Sequence, residues 1–175
     1  PHWNMYSWAE ETGEDQDSEI IDHLARWATE KLTKQTDPYD LAEINVPLGN
    51  DLFHAVDNDA KTPRSGNSLD VDTRQHRTFE QVHDWVTDIG EYLAQFAPVN
   101  FHVVPGNHDF KLLFALGRDV KSWFRNTDRV SINNSPKWRK HVVFGENLIG
   151  YTHGDQEPKS KLPRIMAKDW REDWG

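Results

Sequence analysis

Val99-Asn100-Phe101-His102-Val103-Val104 is followed without a break by Pro105-Gly106-Asn107-His108-Asp109. The first six residues are rich in β-branched and aromatic side chains and read as a strand, fenced off by Pro98. The next five form a glycine turn that carries an amide, an imidazole and a carboxylate in succession. A strand that runs straight into such a turn places its polar side chains at the strand's C-terminal end, where α/β sheets gather their chemistry.

Outward from this point the pattern alternates. Upstream, Phe79, Val82, Val86, Ile89, Leu93 and Phe96 are spaced 3, 4, 3, 4, 3 and predict one long helix over roughly 70–97 with a single buried stripe. Before it, Ile44, Val46 and Leu48 alternate in a strand of Glu43 to Leu48 that ends in Gly49-Asn50-Asp51. Between them, residues 57–68 hold Pro63 and Gly66 and read as an exposed loop. Further upstream, a helix over 18–34 is expected, with Ser18 as its N-cap and Asp37-Pro38 as its stop. Its apolar side is Ile20, Leu24, Trp27, Ala28 and Leu32. The first nineteen residues, aromatic and acidic without period, read as a loop. Downstream, a helix over about 110–125 precedes strands at 129–133, 138–144 and 147–152, and a short basic helix over 158–170. Strand, helix, strand, helix and a run of strands predict a layered α/β fold with a mixed sheet, as one domain over 1–175.

The chain has 175 residues and no cysteine, which excludes disulfides, thiolate zinc sites and a cysteine nucleophile. Any metal must be held by His, Asp, Asn or Glu. No apolar run reaches membrane-spanning length, so a soluble, cytoplasmic protein without a membrane partner is expected. The net charge of −9 is unevenly spread. Residues 1–60 carry 14 acids and 3 bases, whereas residues 116–175 carry 8 acids and 12 bases. Charge alone favours solvated surfaces, yet the basic last third keeps a phosphate-bearing partner in play. Most of the eight tryptophans, Trp27 and Trp85 among them, fall in expected helices and read as packing residues and not as base-stacking platforms.

Three stretches carry the chemistry: Gly49-Asn50-Asp51-Leu52-Phe53-His54, Gly106-Asn107-His108-Asp109 and Tyr151-Thr152-His153-Gly154-Asp155. Each follows a strand and offers oxygen or imidazole donors, which suit Mn, Fe, Zn or Ni. Taken singly, each has an ordinary structural reading, as a turn cap, a strand histidine or an Asx-turn. Their order, GNDLFH then VVPGNHD then YTHGD, resembles the calcineurin-like metallophosphoesterase family. The likeness is strongest to SbcD-type DNA repair exonucleases and their phage-encoded relatives, and it includes Glu11-Thr12-Gly13-Glu14-Asp15.

The resemblance implies a layered metallophosphoesterase fold with mixed β-sheets flanked by helices. It implies two divalent metal ions, Mn first and Fe, Zn or Ni as alternatives, which clamp a phosphate and acidify a bridging water. Asp51 matches the bridging carboxylate, and Asn107 and His153 match ligands of the second metal. His108 matches the histidine that meets the phosphate and protonates the leaving oxygen, Asp109 its orienting partner, and His54 a second histidine near the phosphate. The family's opening Asp-x-His and closing Gly-His-x-His are absent, so this chain is expected to lack a competent dinuclear site. Truncation at both ends explains that better than decay, because the bridging Asp, GNHD and His-Gly turn survive together. The expected function is DNA phosphodiester hydrolysis, in a bacterial or phage-infected cell. The alternatives are a phosphomonoesterase, a nucleotide phosphodiesterase or a non-catalytic scaffold. An ATPase subunit or a second copy as partner is left open.

Overall fold

In the computed structural model the described residues are 2–37, 39–54, 60–61 and 66–174. They run α1 (Ala9–Thr12), α2 (Ser18–Lys34), β1 (Ile44–Gly49), α3 (Gln75–Leu93), β2 (Val99–Val104), α4 (Phe110–Trp123), a 3-10 turn (Phe124–Asn126), β3 (Val130–Asn133), β4 (Lys140–Phe144), β5 (Asn147–Tyr151), a second 3-10 turn (Lys159–Lys161) and α5 (Leu162–Asp169). Pro38 and Pro63, expected in a helix stop and a loop, lie outside the described residues, as does most of 57–68.

Two βαβ crossovers build the centre. β1, β2 and β3 form a parallel sheet in that order, with Ile44 opposite Val99 and Val99 opposite Val130. α3 joins the first pair and α4 the second, the helical connection that parallel neighbours require. Leu48, Val99, Phe101, Val103 and Ile132 from the strands, Val82, Val86, Ile89 and Leu93 from α3, and Leu113, Leu116 and Val120 from α4 share one buried cluster. The same pairing sets a polar row on the alternate positions. Glu43 accepts from Asn45 Nδ2 at 2.7 Å and from Asn100 Nδ2 at 2.9 Å. Asn100 in turn accepts from Ser131 Oγ at 2.6 Å. The sheet is therefore apolar on one side and hydrogen-bonded along the other.

The α/β class stands, and three details of the elements differ from expectation. Among the described residues the sheets are not mixed: the parallel sheet has three strands, while β4 and β5 pair with each other, antiparallel, around the Gly145 turn. Pro136 in the connection before β4 carries no N–H with which to extend β3's ladder. Helix α2 is capped by Asp17, whose carboxylate accepts from Glu19 and Ile20 amides, and not by Ser18. Its expected apolar face is turned outward, with Leu24, Trp27 and Leu32 more than half exposed. Ile21 and Ala25 meet the core instead, and Arg26 reaches Asp88 of α3 at 2.7 Å, which fixes the helix's rotation. Helix α3 begins only at Gln75, after Asp72 has bound the Arg74 amide and guanidinium, and Phe96 lies beyond its end, exposed.

The N-terminal stretch is more than a loop. α1 and the bridges Met5–Val71 and Ser7–Gln16 organise it, and Trp3 is fully buried beside Trp85, ring centroids 4.9 Å apart. The Trp3 amide donates to the Leu52 carbonyl at 2.7 Å, so the first residues are tied to the loop after β1. At the other end, Lys140 opens β4 almost wholly buried at 2 % exposure, its amine on the Lys137 carbonyl. No helix among the described residues is long and apolar enough to cross a membrane.

Two substitutions test this frame. Trp3→Ala should cost about 3–5 kcal/mol in denaturant-induced unfolding, because a fully buried ring leaves a cavity. Burial lowers the Lys140 amine to about 8, whereas the unfolded chain keeps its proton to about 10.5. Between those values the unfolded state holds more protons, so stability rises with pH, by up to ~1.4 kcal/mol per pH unit. Lys140→Met should gain stability below pH 8 and lose that rise, and an identical pH–stability profile for parent and variant would refute it.

Candidate functional site

The loop after β1 is bent hard. Gly49 has φ 137°, and Asn50 and Asp51 follow with φ 60° and 62°, three successive residues in left-handed backbone. Side chains at positive φ are held there only when their surroundings over-determine them. Two such surroundings are visible. A Cβ on Gly49 would sit 2.0 Å from the Val104 carbonyl oxygen, so only glycine lets β1 and β2 end this close together. That same carbonyl accepts from the Asn50 amide at 3.0 Å. The bend turns the Asp51 side chain inward, to 4 % exposure, against the second loop.

The second loop, 105–109, receives it. The His108 amide donates to Asp51 Oδ1 at 2.9 Å. A Cβ on Gly106 would stand 1.8 Å from that oxygen, so the glycine is the floor of the carboxylate's cradle. Asp109 closes the loop from within. Fully buried, it accepts from the Gly106 amide at 3.1 Å and from the Phe53 amide at 3.3 Å, stitching the two loops together. Burial pushes its carboxyl up to about 6, against the opposing pull of those amides.

The histidines gather on this base. His108 Nδ1 lies 2.6 Å from the His54 carbonyl oxygen. A carbonyl only accepts, so Nδ1 carries the hydrogen. The orienting group expected for this ring was Asp109; the structure gives that task to the His54 backbone and uses Asp109 to join the loops. The His54 ring itself stacks on His108, centroids 5.4 Å apart, and burial together with the neighbouring imidazoles of His2 and His108 holds it down to about 4. His153 arrives from beyond β5. Its Nε2 lies 2.8 Å from Asn107 Oδ1 and 3.3 Å from Asp51 Oδ2. All six residues singled out in the sequence thus meet in one place.

Sequence reasoning missed His2. Its Nδ1 stands 2.6 Å from His54 Nδ1, so one ring donates and the other accepts through its lone pair, and burial lowers the pKa of His2. Asn4 was missed as well; its Oδ1 accepts from the His54 amide at 2.8 Å. No periodicity marks either residue. Only the burial of Trp3 between them, which anchors the segment, reveals the placement.

The donor set has the chemistry of a hard or borderline cation site: one carboxylate, one amide oxygen and neutral imidazoles. Asn107 Oδ1 and Asp51 Oδ2 both lie close to His153 Nε2, at 2.8 and 3.3 Å, so the three groups meet around that nitrogen. Among the described residues no group of three His, Asp or Glu side chains by itself meets the geometry of a cation site, and here one of the three converging groups is an amide. No family model, curated protein or solved structure matches the chain.

Gly106→Ala tests the cradle. The methyl must displace the Asp51 carboxylate, so the His108 amide resonance should move and stability should fall by about 1–3 kcal/mol in urea. An unmoved His108 amide would show that the carboxylate does not depend on the glycine.

Proposed function

We propose that the protein is a metal-dependent phosphodiesterase acting on DNA. The observation that carries this reading is the position of His153 Nε2, brought from 46 residues away to lie between Asn107 Oδ1 and Asp51 Oδ2. Convergence of polar side chains from three separate strand ends on one point is the arrangement that a cation site requires. Asp51, Asn107 and His153 would hold one divalent ion, with Mn favoured and Fe, Zn or Ni compatible, and His2 and His54 lie beside it as further donors. Such an ion, when bound, would supply charge neutralisation for the phosphate and acidify water.

The protein's own groups do the rest. His108 is held through Nδ1–H, so Nε2 is the nitrogen that would carry the second proton of an imidazolium and deliver it to the leaving oxygen. The resemblance to metallophosphoesterases supports the same assignment. Buried Asp109 keeps both loops in register. Within the basic last third, Arg139 is taken by Glu157 and Asp169, and Lys140 is buried. Exposed Lys159, Lys161, Arg164, Lys168 and Arg171, together with exposed Arg118, Lys121 and Lys137, would serve as backbone contacts that carry affinity without reading sequence.

The test supplies the full-length protein with Mn²⁺ and compares duplex DNA, single-stranded DNA, an aryl phosphodiester and an aryl phosphomonoester. DNA and the diester should be cleaved. His108→Asn should lower DNA cleavage by about 10²–10⁴-fold and cleavage of the aryl diester far less, since a nitrophenolate leaves without a proton. Turnover of the monoester with intact DNA would overturn the assignment.

A further inference from the structure

Phe110 is the first residue of α4 and directly follows Asp109. Trp138, from the connection between β3 and β4, lies against it with ring centroids 4.7 Å apart and planes inclined by 26°. This pair is not core. Trp3, Trp85 and Trp170 are buried to 8 % exposure or less, whereas Trp138 is 37 % exposed and Phe114, one turn further along α4, is 41 % exposed. Pro105, Phe110, Phe114 and Pro136 line a shallow crevice beside it.

The charges around the pair separate it from exposed Trp8 and Trp123. The indole N–H groups of Trp8 and Trp123 are bound to Asp70 and Glu91, carboxylates that repel a polyanion. Lys111 follows Phe110 and Lys137 precedes Trp138, both exposed. In a chain of net charge −9, neither Phe110–Arg118 nor Arg129–Gly145 contains a single acid. Aromatic faces interleaved with cations are the means by which proteins hold single-stranded nucleic acid, each base stacking on a ring while its phosphate meets a charge.

We propose that the Phe110–Trp138 pair is a platform for an unpaired base of single-stranded DNA, seated next to the loop of His108. It rests on the phosphodiesterase reading and deepens it, because a phosphodiester at that loop carries a base one sugar away. The ligand it selects is a strand with bases, at a frayed or single-stranded end, in preference to a bare phosphodiester.

Binding at fixed salt of a labelled short oligothymidylate, against an abasic strand of equal length, tests the platform. The parent protein should prefer the base-bearing strand by about 5- to 100-fold. Trp138→Ala should abolish that preference, and Trp138→Phe, which keeps a ring on Phe110, should restore most of it. Equal binding of the two strands by the parent, or a preference that survives Trp138→Ala, overturns the platform. Hydrolysis of bis(4-nitrophenyl) phosphate, which has no base, is measured alongside on the full-length parent with Mn²⁺. Turnover of that diester without a base preference would sink the platform alone, whereas no turnover of any phosphodiester would sink the reading beneath it.

Discussion

The contact between the Asp51 carboxylate and the loop at Gly106 holds the site together. It needs three conditions at once: left-handed backbone through Asn50 and Asp51, no side chain at Gly106, and an amide at His108 to receive Oδ1. Each has a conformational or packing cost, and together they place a buried carboxylate where it has the His108 amide on one oxygen and the imidazole of His153 on the other. A buried charge left without such partners would cost several kcal/mol. The core, the two crossovers and the close approach of β1 to β2 all serve to bring these loops within reach.

The parallel sheet explains why the loops sit together. Strands that run the same way end on the same side, so the turns after β1 and β2 are neighbours by construction. Asp109 then converts neighbourhood into attachment by accepting amides from both loops. The N-terminal segment adds a third wall through Trp3, whose ring is in the core while its amide holds Leu52. His2 is carried into place by a hydrophobic anchor and not by local chain geometry.

Much of this was legible in the sequence, for identifiable reasons. β1 and β2 are short apolar runs closed by glycine turns, and periodicity with punctuation locates such strands to within a residue or so. Helix α2 shows the limit of the same argument. Its outward stripe of Leu24, Trp27 and Leu32 has helical spacing, yet Ile21 and the Arg26–Asp88 pair decide which side faces in. The strand-end clusters revealed Asp51, Asn107, His108 and His153 because donors in a turn have few structural uses in common. Asp109 was placed in the site but given its neighbour's partner, since adjacency in sequence does not say which way a turn sends a carboxylate. His2 and Asn4 left no trace, because a one-off contact across 50 residues has no period to detect.

The span of the site in the chain governs when it forms. His2, Asp51, His108 and His153 are drawn from nearly the whole length, and their meeting requires both crossovers and the strand pairing to be in place. Contacts between such distant residues carry a loop-closure entropy that local structure must offset first. The site is therefore among the last features to assemble and among the first lost in partial unfolding. An ion recognised only by the completed set would bind the native state alone, and by mass action it would raise the stability of the whole domain and not of its loops.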